Sequence, residues 1–367
     1  MRVLVGMSGG VDSSVAALLL KEQGYEVSGA IMSLWGSSIL FKEEKEKIEK
    51  NECKNMTHCA CLSPNKKKDI EEAREIAKKL EIDFHVIDCS REYENIVINY
   101  FKDEYLNGRT PNPCICCNKF IKFGIFPELA RKSGIKFDKF ATGHYAKIDF
   151  ENGKYILKKG VNKKKDQSYF LYGLTQEQLS KILLPLGNYT KEEIREIARK
   201  YGFVIADKPD SQDFYNGDYN DILSAAPKEG NIVDKEGNIL GKHSGFWNYT
   251  IGQRKGIGIA APKPLYVTEL RKETNEVVVA YKEAALNKKI IVSNVIFSAI
   301  EKPNKELLCN VKYRSAQEPK EATIKPYGPD KIEVIFTEAQ NPIAIGQSAV
   351  FYDGDIVLGG GIIERVL

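Results

Sequence analysis

The sequence contains no long hydrophobic run. No apolar stretch approaches the roughly 18 to 20 residues that a membrane-spanning helix requires, so we expect a soluble, cytoplasmic protein that has no membrane partner. No internal repeat is evident either. Charge of one sign is not in marked excess, since 54 Lys and Arg stand against 50 Asp and Glu, which gives a net charge of +4. This balance permits a polyanionic partner at local basic patches but does not require one.

A disulfide framework is also missing, although the chain has eight cysteines. In a large chain that we expect in the cytosol, clustered cysteines indicate metal or redox chemistry rather than structural disulfides. The alternating pattern around Cys309 predicts an inert thiol in a core strand. The first cluster is Cys53, Cys59 and Cys61, the second is Cys114, Cys116 and Cys117, and Cys89 and Cys309 stand alone.

A glycine-rich turn follows the first predicted strand. Residues 3–5 form a short apolar run, residues 8–10 read Ser-Gly-Gly, and apolar residues then recur at helical spacing up to Gly24. Such a turn exposes backbone N–H groups at the positive end of a helix dipole and can hold phosphate. No lysine follows as in the Walker-type loop. The pattern is instead typical of enzymes that cleave ATP to AMP and pyrophosphate.

Strand and helix signals alternate through the first half of the chain, which predicts an α/β fold with a parallel sheet wound on both faces. The lysine-rich residues 36–68 interrupt this alternation and predict a mobile insertion. Later residues show short strands and hairpin signals, of which Asp353-Gly354 is the plainest. We predict an adenine-nucleotide-binding domain at residues 1–205, a central linker domain at 206–285 and an antiparallel β-barrel at 286–367.

The second informative segment reads Arg-Thr-Pro-Asn-Pro-Cys-Ile-Cys-Cys-Asn over residues 109–118. Pro111 and Pro113 predict an extended approach, and helical spacing resumes after Asn118. The cysteines would then lie at or just before a helix N-terminus, where the dipole favours thiolate. A Cys-x-x-Cys pair there can bind a soft metal, exchange a disulfide or hold sulfur as a persulfide. A structural zinc knuckle would need a second pair, which the first cluster matches poorly.

Six motifs in order resemble the bacterial tRNA-specific 2-thiouridylases, the MnmA family, nearly end to end. The resemblance implies a PP-loop ATP-pyrophosphatase domain and 2-thiolation of the wobble uridine in tRNAs for Lys, Glu and Gln. ATP with Mg²⁺ would adenylate the 2-carbonyl oxygen, and a sulfur nucleophile would displace AMP. The implied partners are tRNA and an upstream sulfur donor, which could be sulfide, a cysteine desulfurase or a sulfur carrier. The motifs occupy residues 6–13, 108–113 with 117–118, 141–145, 165–170, 249–256 and 359–363.

The resemblance also implies roles for individual residues. Cys117 matches the catalytic cysteine, and Cys114 is its neighbour in the Cys-x-x-Cys pair. The residues that would contact tRNA are Lys165, Asp166 and Gln167, with Arg314 and Ser315 in the barrel. The residues that would bind ATP are Gly6, Met7, Ser8, Gly9, Gly10, Val11, Asp12, Ser13, Met32 and Gly143.

Two departures from the family pattern affect sulfur transfer. Cys114 stands where the family has aspartate, and Tyr215 stands where it has the cysteine that carries the persulfide. In one alternative, Cys114 and Cys117 form a local pair, of which one carries sulfur and the other resolves it as a disulfide. In the other, which we favour, both bind a 4Fe-4S cluster with a third thiolate from Cys116, Cys89 or the first cluster.

Two rival functions account for parts of the sequence. A synthetase of the ATP-pyrophosphatase type that acts on a small molecule explains the glycine turn but neither the cysteine segment nor the barrel. A catalytically inactive tRNA-binding relative explains the missing persulfide cysteine, but the intact Asp12-Ser13 argues against it. We interpret His144 as a hydrogen-bonded loop residue, and Tyr169 and Phe170 as core residues rather than base-stacking ones.

Overall fold

The chain folds into two compact units. The computed structural model describes residues 1–34, 66–209, 214–215 and 218–367. Most of the predicted insertion, with Cys53, Cys59 and Cys61, lies outside these described residues. The first unit comprises Met1–Val97, Pro113–Gly217 and Asp355–Val357, and the second comprises Ile98–Asn112, Asp218–Gly354 and Leu358–Leu367.

A parallel five-stranded sheet forms the centre of the first unit. Its strands are β1 (Arg2–Met7), β2 (Glu26–Ser33), β3 (Phe84–Asp88), β4 (Lys139–Thr142) and β7 (Ile182–Leu183). Between β4 and β7 the chain forms an antiparallel hairpin of β5 (Ala146–Glu151) and β6 (Lys154–Lys159). The strand order is β3-β2-β1-β4-β7. Val3, Leu4 and Val5 of the central strand are fully buried. A strand covered on both faces has a continuous apolar sequence, which is why this strand was predictable.

The helices of the first unit bring distant segments to this sheet. Ile194 and Ala198 of the helix at Lys191–Lys200 pack in the same core as the apolar residues of the helix at Val11–Glu22. In chain order, including two helices of the second unit, the helices are α1 (Val11–Glu22), α2 (Lys66–Lys79), α3 (Ser90–Tyr93), α4 (Asn99–Leu106), α5 (Pro113–Cys116), α6 (Phe126–Lys132), α7 (Gln176–Ser180), α8 (Lys191–Lys200) and α9 (Tyr219–Leu223). Glu94–Ile98 and Cys117–Ile125 are π-helical, and Ser168–Leu171 is a 3₁₀ turn.

The second unit contains a small mixed sheet and a closed barrel. The small sheet consists of β8 (Gly230–Val233), β9 (Ile239–His243), β10 (Leu265–Arg271) and β11 (Glu276–Tyr281). The barrel strands are β12 (Asn287–Phe297), β13 (Leu307–Lys312), β14 (Lys320–Pro326), β15 (Ile332–Gln340), β16 (Ser348–Asp353) and β17 (Ile356–Val366). They follow one another in the order β12-β15-β14-β13-β16-β17, and antiparallel pairing of β12 with β17 closes the barrel.

These observations confirm the predicted fold class, a parallel α/β domain followed by a small middle domain and an antiparallel barrel. The domain boundaries at 205 and 285 stay a prediction. The turn predicted at Asp353-Gly354 does connect β16 with β17. Within the described part of the chain, no helix has both the length and the apolar character needed to cross a lipid bilayer.

Candidate active site

The glycine turn of residues 8–10, hereafter the glycine loop, joins β1 to α1. Gly9 has a φ of +72°, and a Cβ atom added to it would lie 2.6 Å from the carbonyl oxygen of Asp69, so only glycine fits there. The Ser13 hydroxyl accepts from the Ser8 N–H at 3.1 Å and donates to the Gly10 carbonyl at 3.2 Å. The motif therefore closes its own turn. The N-terminus of α1 lies at the carboxyl end of the central strand, which is the usual place for bound phosphate.

Asp12, the second residue of α1, is held by two side chains from later in the chain. The Lys191 Nζ lies 2.7 and 2.8 Å from the two carboxylate oxygens, and the Tyr145 hydroxyl donates to one of them at 2.7 Å. Lys191 is only 5% exposed. It is the first residue of α8, whose start is fixed by a capping box between Thr190 and Glu193. Because a buried charge needs a partner, Lys191 and Asp12 orient each other.

A second lysine, Lys208, reaches the glycine loop. Its Nζ donates to the Gly9 carbonyl at 3.0 Å, to Asp69 at 2.9 Å and to Glu72 at 2.5 Å. Burial alone lowers the pKa of Lys208, but the hydrogen bonds to Glu72 and Asp69 outweigh it and raise this pKa overall. Lys208 is therefore a cation at neutral pH. Sequence reasoning missed both lysines, because their partners Asp12 and Gly9 lie 179 and 199 residues away along the chain.

The residues predicted to bind ATP lie at the carboxyl ends of three neighbouring strands. Met7 and Val11 are 4% and 3% exposed, so their side chains belong to the core rather than to a ligand surface. Met32 is half-buried near the end of β2. Gly143 follows β4 and approaches α1 so closely that an added Cβ would lie 2.7 Å from the carbonyl carbon of Asp12. Contact with α1 is therefore what requires glycine at position 143. The strand ends bring together Gly6, Met7, Ser8, Gly9, Gly10, Val11, Asp12, Ser13, Met32 and Gly143.

His144 is a buried loop residue beside this site. Its Nδ1 lies 2.7 Å from the Thr142 hydroxyl oxygen. Burial, and to a smaller extent the positive charge of Lys122, holds the pKa of His144 well below the usual value. The imidazole is therefore neutral at physiological pH. This agrees with its interpretation as a hydrogen-bonded structural residue.

The cysteine segment is helical earlier than predicted. The expected extended approach is wrong for Pro113, which is the first residue of α5. Proline suits this position because its φ is already helical and its missing N–H would have no helical partner. Cys114 and Cys117, three residues apart across α5 and the start of the π-helix, lie on the same helix face. Cys116 lies on another face, and its Sγ is 3.8 Å from the Ile96 carbonyl oxygen.

The described residues supply no third ligand beside Cys114 and Cys117 for a 4Fe-4S cluster, and Cys53, Cys59 and Cys61 lie outside them. Burial raises the pKa of Cys116 to about 12, although the positive charge of Lys119 opposes the shift. Burial, and after it the negative charge of Glu92, raises the pKa of Cys89 to about 12. Across residues 66–209 and the other described ranges, no three His, Cys, Asp or Glu side chains form a metal-binding group. We therefore derive no step through a cluster.

A side-chain amide supports the π-helix that begins at Cys117. The Gln178 Nε2 donates to the carbonyls of Lys119 at 2.9 Å and Phe123 at 3.1 Å. The Gln178 Oε1 accepts from the Thr175 N–H at 3.0 Å and completes the capping box of α7. The Gln178 amide thus caps the N-terminus of α7 and also fixes the neighbouring π-helix. The π-helix holds Cys117 in a defined position at the expense of regular α-helical hydrogen bonding.

The first segment predicted to contact tRNA forms a compact turn. Asp166 accepts from both the backbone N–H and the hydroxyl of Ser168, at 3.1 and 2.8 Å. The Gln167 side-chain oxygen accepts from the Tyr145 N–H at 2.9 Å. These two residues shape the turn, whereas the Lys165 side chain is exposed. Of the three, Lys165 is the one suited to reach a phosphate.

The second such segment lies in the other unit. Arg314 donates through Nη2 to the carbonyls of Ile251 at 3.1 Å and Pro342 at 2.8 Å, while Ser315 is exposed. Arg314 therefore ties the β12–β17 barrel to the segment that connects β9 and β10 in the same unit. Of the two aromatic residues interpreted as core, Tyr169 is fully buried and Phe170 is half-buried. Tyr215, at the position of the missing cysteine, is 7% exposed.

Three family models match consecutive parts of the chain. They are the tRNA methyl transferase HUP domain at residues 1–215, the tRNA methyl transferase PRC-barrel domain at 221–281 and the aminomethyltransferase beta-barrel domain at 287–363. The tRNA-specific 2-thiouridylase MnmA of Endomicrobium trichonymphae is 48% identical, with 99% of each chain covered. The chain belongs to the MnmA family. This membership confirms the resemblance drawn from the six motifs.

Further relatives extend over the same length. The tRNA-specific 2-thiouridylase MnmA of Clostridioides difficile (strain 630) is 47% identical, and the alignment covers all of this chain and 99% of the relative. Among solved structures, a 4-thiouridine synthetase in complex with RNA and bound ATP is 16% identical, with a TM-score of 0.34. That likeness covers 57% of this chain and 42% of the synthetase chain.

Proposed function

We propose that this protein catalyses the ATP-dependent 2-thiolation of the wobble uridine in tRNAs for Lys, Glu and Gln. The observation that carries the proposal is the presence, in one unit, of a phosphate-type glycine loop and of Cys114 and Cys117 on one helix face. Relatives named tRNA-specific 2-thiouridylases that align over the whole chain support the choice of substrate. They argue against a synthetase for small molecules, because the likeness includes the barrel.

In the first step ATP activates the base. The 2-carbonyl oxygen of uridine attacks the α-phosphate of the ATP–Mg²⁺ complex, and pyrophosphate leaves with the electron pair of the broken P–O bond. Backbone N–H groups of residues 9–13 and the dipole of α1 would stabilise the charge on that pyrophosphate. Lys191 offsets the negative charge of Asp12 at this place. We assign no residue to the magnesium ion, which arrives with the nucleotide.

In the second step sulfur replaces the activated oxygen. A persulfide on one member of the pair formed by Cys114 and Cys117 attacks C2 and expels AMP, which leaves a disulfide link between the base and the enzyme. The thiolate of the other cysteine attacks the enzyme sulfur of that link, releases 2-thiouridine and forms a disulfide between the two cysteines. An external dithiol must then reduce this disulfide. The terminal sulfur comes from a persulfide donor.

The test is thiolation of an unmodified tRNA(Lys) transcript with ATP, Mg²⁺, a dithiol and a cysteine desulfurase supplied with cysteine. We expect pyrophosphate release that depends on tRNA, and 2-thiouridine in the nuclease digest by mass spectrometry. A transcript with cytidine at the wobble position is the control. Binding of tRNA without pyrophosphate release would instead identify a catalytically inactive relative.

Iron analysis tests the route of sulfur transfer. Protein purified without oxygen should contain no stoichiometric iron or acid-labile sulfide. About four irons per chain, lost in both Cys114→Ala and Cys117→Ala, would contradict the persulfide pair and leave the thiolation itself in place.

A further inference from the structure

The Lys208 side chain contacts a backbone carbonyl of the glycine loop and none of the side chains of the motif. We propose that Lys208 is a positioning residue that orients a peptide group of the glycine loop toward bound pyrophosphate. This inference rests on the proposed function, since it assumes that the loop binds the phosphates of ATP. It adds a residue that none of the sequence motifs contains.

The orientation of one peptide group carries the proposal. In a trans peptide the C=O of one residue and the N–H of the next point in opposite directions. The Lys208 ammonium binds the Gly9 carbonyl oxygen at 3.0 Å, so the N–H of Gly10 points away from Lys208. Gly10 is the N-cap of α1, where a backbone N–H can contribute to an anion site. Lys208 thus fixes the direction of a donor that it does not itself contact.

The hydrogen bonds of Lys208 distinguish positioning from direct phosphate binding. A lysine ammonium has three N–H donors, and here they meet three acceptors, on Gly9, Asp69 and Glu72. The side chain is 14% exposed, and those of Asp69 and Glu72 are 11% and 22% exposed. No donor of Lys208 remains for a phosphate oxygen. The two carboxylates hold the ammonium at the loop carbonyl.

Packing of the loop against α2 agrees with this role. Asp69 lies in the first turn of α2, and its backbone oxygen would be 2.6 Å from a Cβ on Gly9. The loop therefore rests directly on the helix that carries both carboxylate partners of Lys208. Movement of the Gly9 carbonyl would require Lys208 and this turn of α2 to shift with it.

The experiment measures binding of pyrophosphate and of ATP–Mg²⁺ to the full chain by calorimetry. We expect Lys208→Met to weaken the binding of both about tenfold, because a charge-assisted hydrogen bond that orients the loop is lost. The matched control is Lys79→Met. Lys79 also donates to a glycine carbonyl, that of Gly202 at 2.7 Å, but away from the loop, so its loss should change stability without changing binding.

A second background separates orientation from simple charge balance. In Asp69→Asn/Glu72→Gln protein, Lys208→Met leaves no unpaired carboxylate behind. This triple variant is therefore also the one to use if Lys208→Met alone does not fold. We expect the tenfold loss to persist there. A loss that disappears in this background, or equal binding by wild type and Lys208→Met, would overturn the inference. Failure of the wild type to bind either ligand would instead overturn the proposed function.

Discussion

The glycine loop and the helix that carries Cys117 are both short motifs of the first unit, but different interactions hold them in place. Around the loop, Lys191 and Lys208 form ion pairs with Asp12, Asp69 and Glu72. The helix of Cys117 is instead supported by the neutral amide of Gln178. Charge is thus paired where a polyanion is proposed to bind, whereas neutral hydrogen bonds fix the helix that carries the cysteines.

This difference indicates how each region responds to substitution. Removing one partner of a buried ion pair leaves a charge with no compensation, which costs more than the loss of a neutral hydrogen bond. We therefore expect larger losses of stability from changes near the loop than from changes near the cysteine helix. Loss of the reacting atom itself should exceed both in its effect on activity.

The largest expected effect is that of Cys117→Ala. Thiolation should fall by at least about 1000-fold because the nucleophile is missing, while tRNA-dependent pyrophosphate release continues. Nuclease digestion with mass spectrometry and a pyrophosphate assay measure the two steps separately. Cys116→Ala is the control and should keep nearly full thiolation, since its half-buried Sγ lies against the Ile96 carbonyl. Thiolation by the Cys117 variant would refute the assignment.

Lys191→Met should have the next largest effect. It leaves the Asp12 carboxylate with the Tyr145 hydroxyl but without a cation where phosphates are proposed to bind, so pyrophosphate release should fall about 100-fold. Thermal unfolding should show a loss of about 2 to 3 kcal/mol, part of which Asp12→Asn in the same protein should restore. Lys200→Met, on an exposed residue of the same helix, should change neither property. Normal pyrophosphate release by Lys191→Met would show that Asp12 needs no cationic partner.

A smaller effect is expected for Gln178→Glu. The carboxylate keeps an acceptor for the Thr175 N–H but cannot donate to the carbonyls of Lys119 and Phe123. We expect a stability loss of about 1 to 3 kcal/mol and about tenfold slower thiolation, with pyrophosphate binding unchanged.

Gln176→Glu is the matched control for this change. Gln176 lies on the same short helix as Gln178. Its side-chain oxygen accepts from the Tyr155 N–H at 2.8 Å, and its Nε2 donates to the Tyr155 carbonyl at 2.7 Å, on β6. It should cause a similar loss of stability with no loss of thiolation by folded protein. Equal thiolation by both variants would mean that the π-helix does not position Cys117.

The smallest effect concerns the pH dependence of stability through His144. Its folded-state pKa is depressed by burial, so only the unfolded chain takes up a proton as the pH falls below about 6.5. The stabilising contribution is present above that pH and is lost as the pH falls. From pH 7.5 to 5.5, wild type should lose about 1 kcal/mol more than His144→Gln in urea unfolding. Parallel pH profiles would show that His144 gains a proton while folded.

Local sequence predicted the parts of the fold and site that depend on neighbouring residues. The β1 strand and the glycine loop were predictable because Ser8, Gly10 and Ser13 close the turn with hydrogen bonds among themselves. The resemblance drawn from spaced motifs correctly indicated the family. Pro113 was misjudged because proline suits both an extended segment and the first turn of a helix.

The supports of the site were not predictable in this way. Lys191, Lys208 and Gln178 belong to segments that look like ordinary surface helices or turns in the sequence. Their partners lie 55 to 199 residues away along the chain, and only the packing of the sheet brings them together. A lysine in such a segment is by default solvated. Sequence reasoning can therefore find the reacting groups more readily than the residues that hold them.

Closure of the barrel in the second unit pairs the barrel strand that is synthesised first, β12, with the one that is synthesised last, β17. β12 pairs with β17, and four other barrel strands lie between them in the chain. Ribosomes add roughly 5 to 20 residues per second, so β12 waits for several seconds with this edge unpaired. Its buried residues Ile290, Ile291 and Val292 lie on that open edge, which is a template for pairing with other chains. A nascent chain that stalls before β17 is therefore the form of this protein most prone to aggregate.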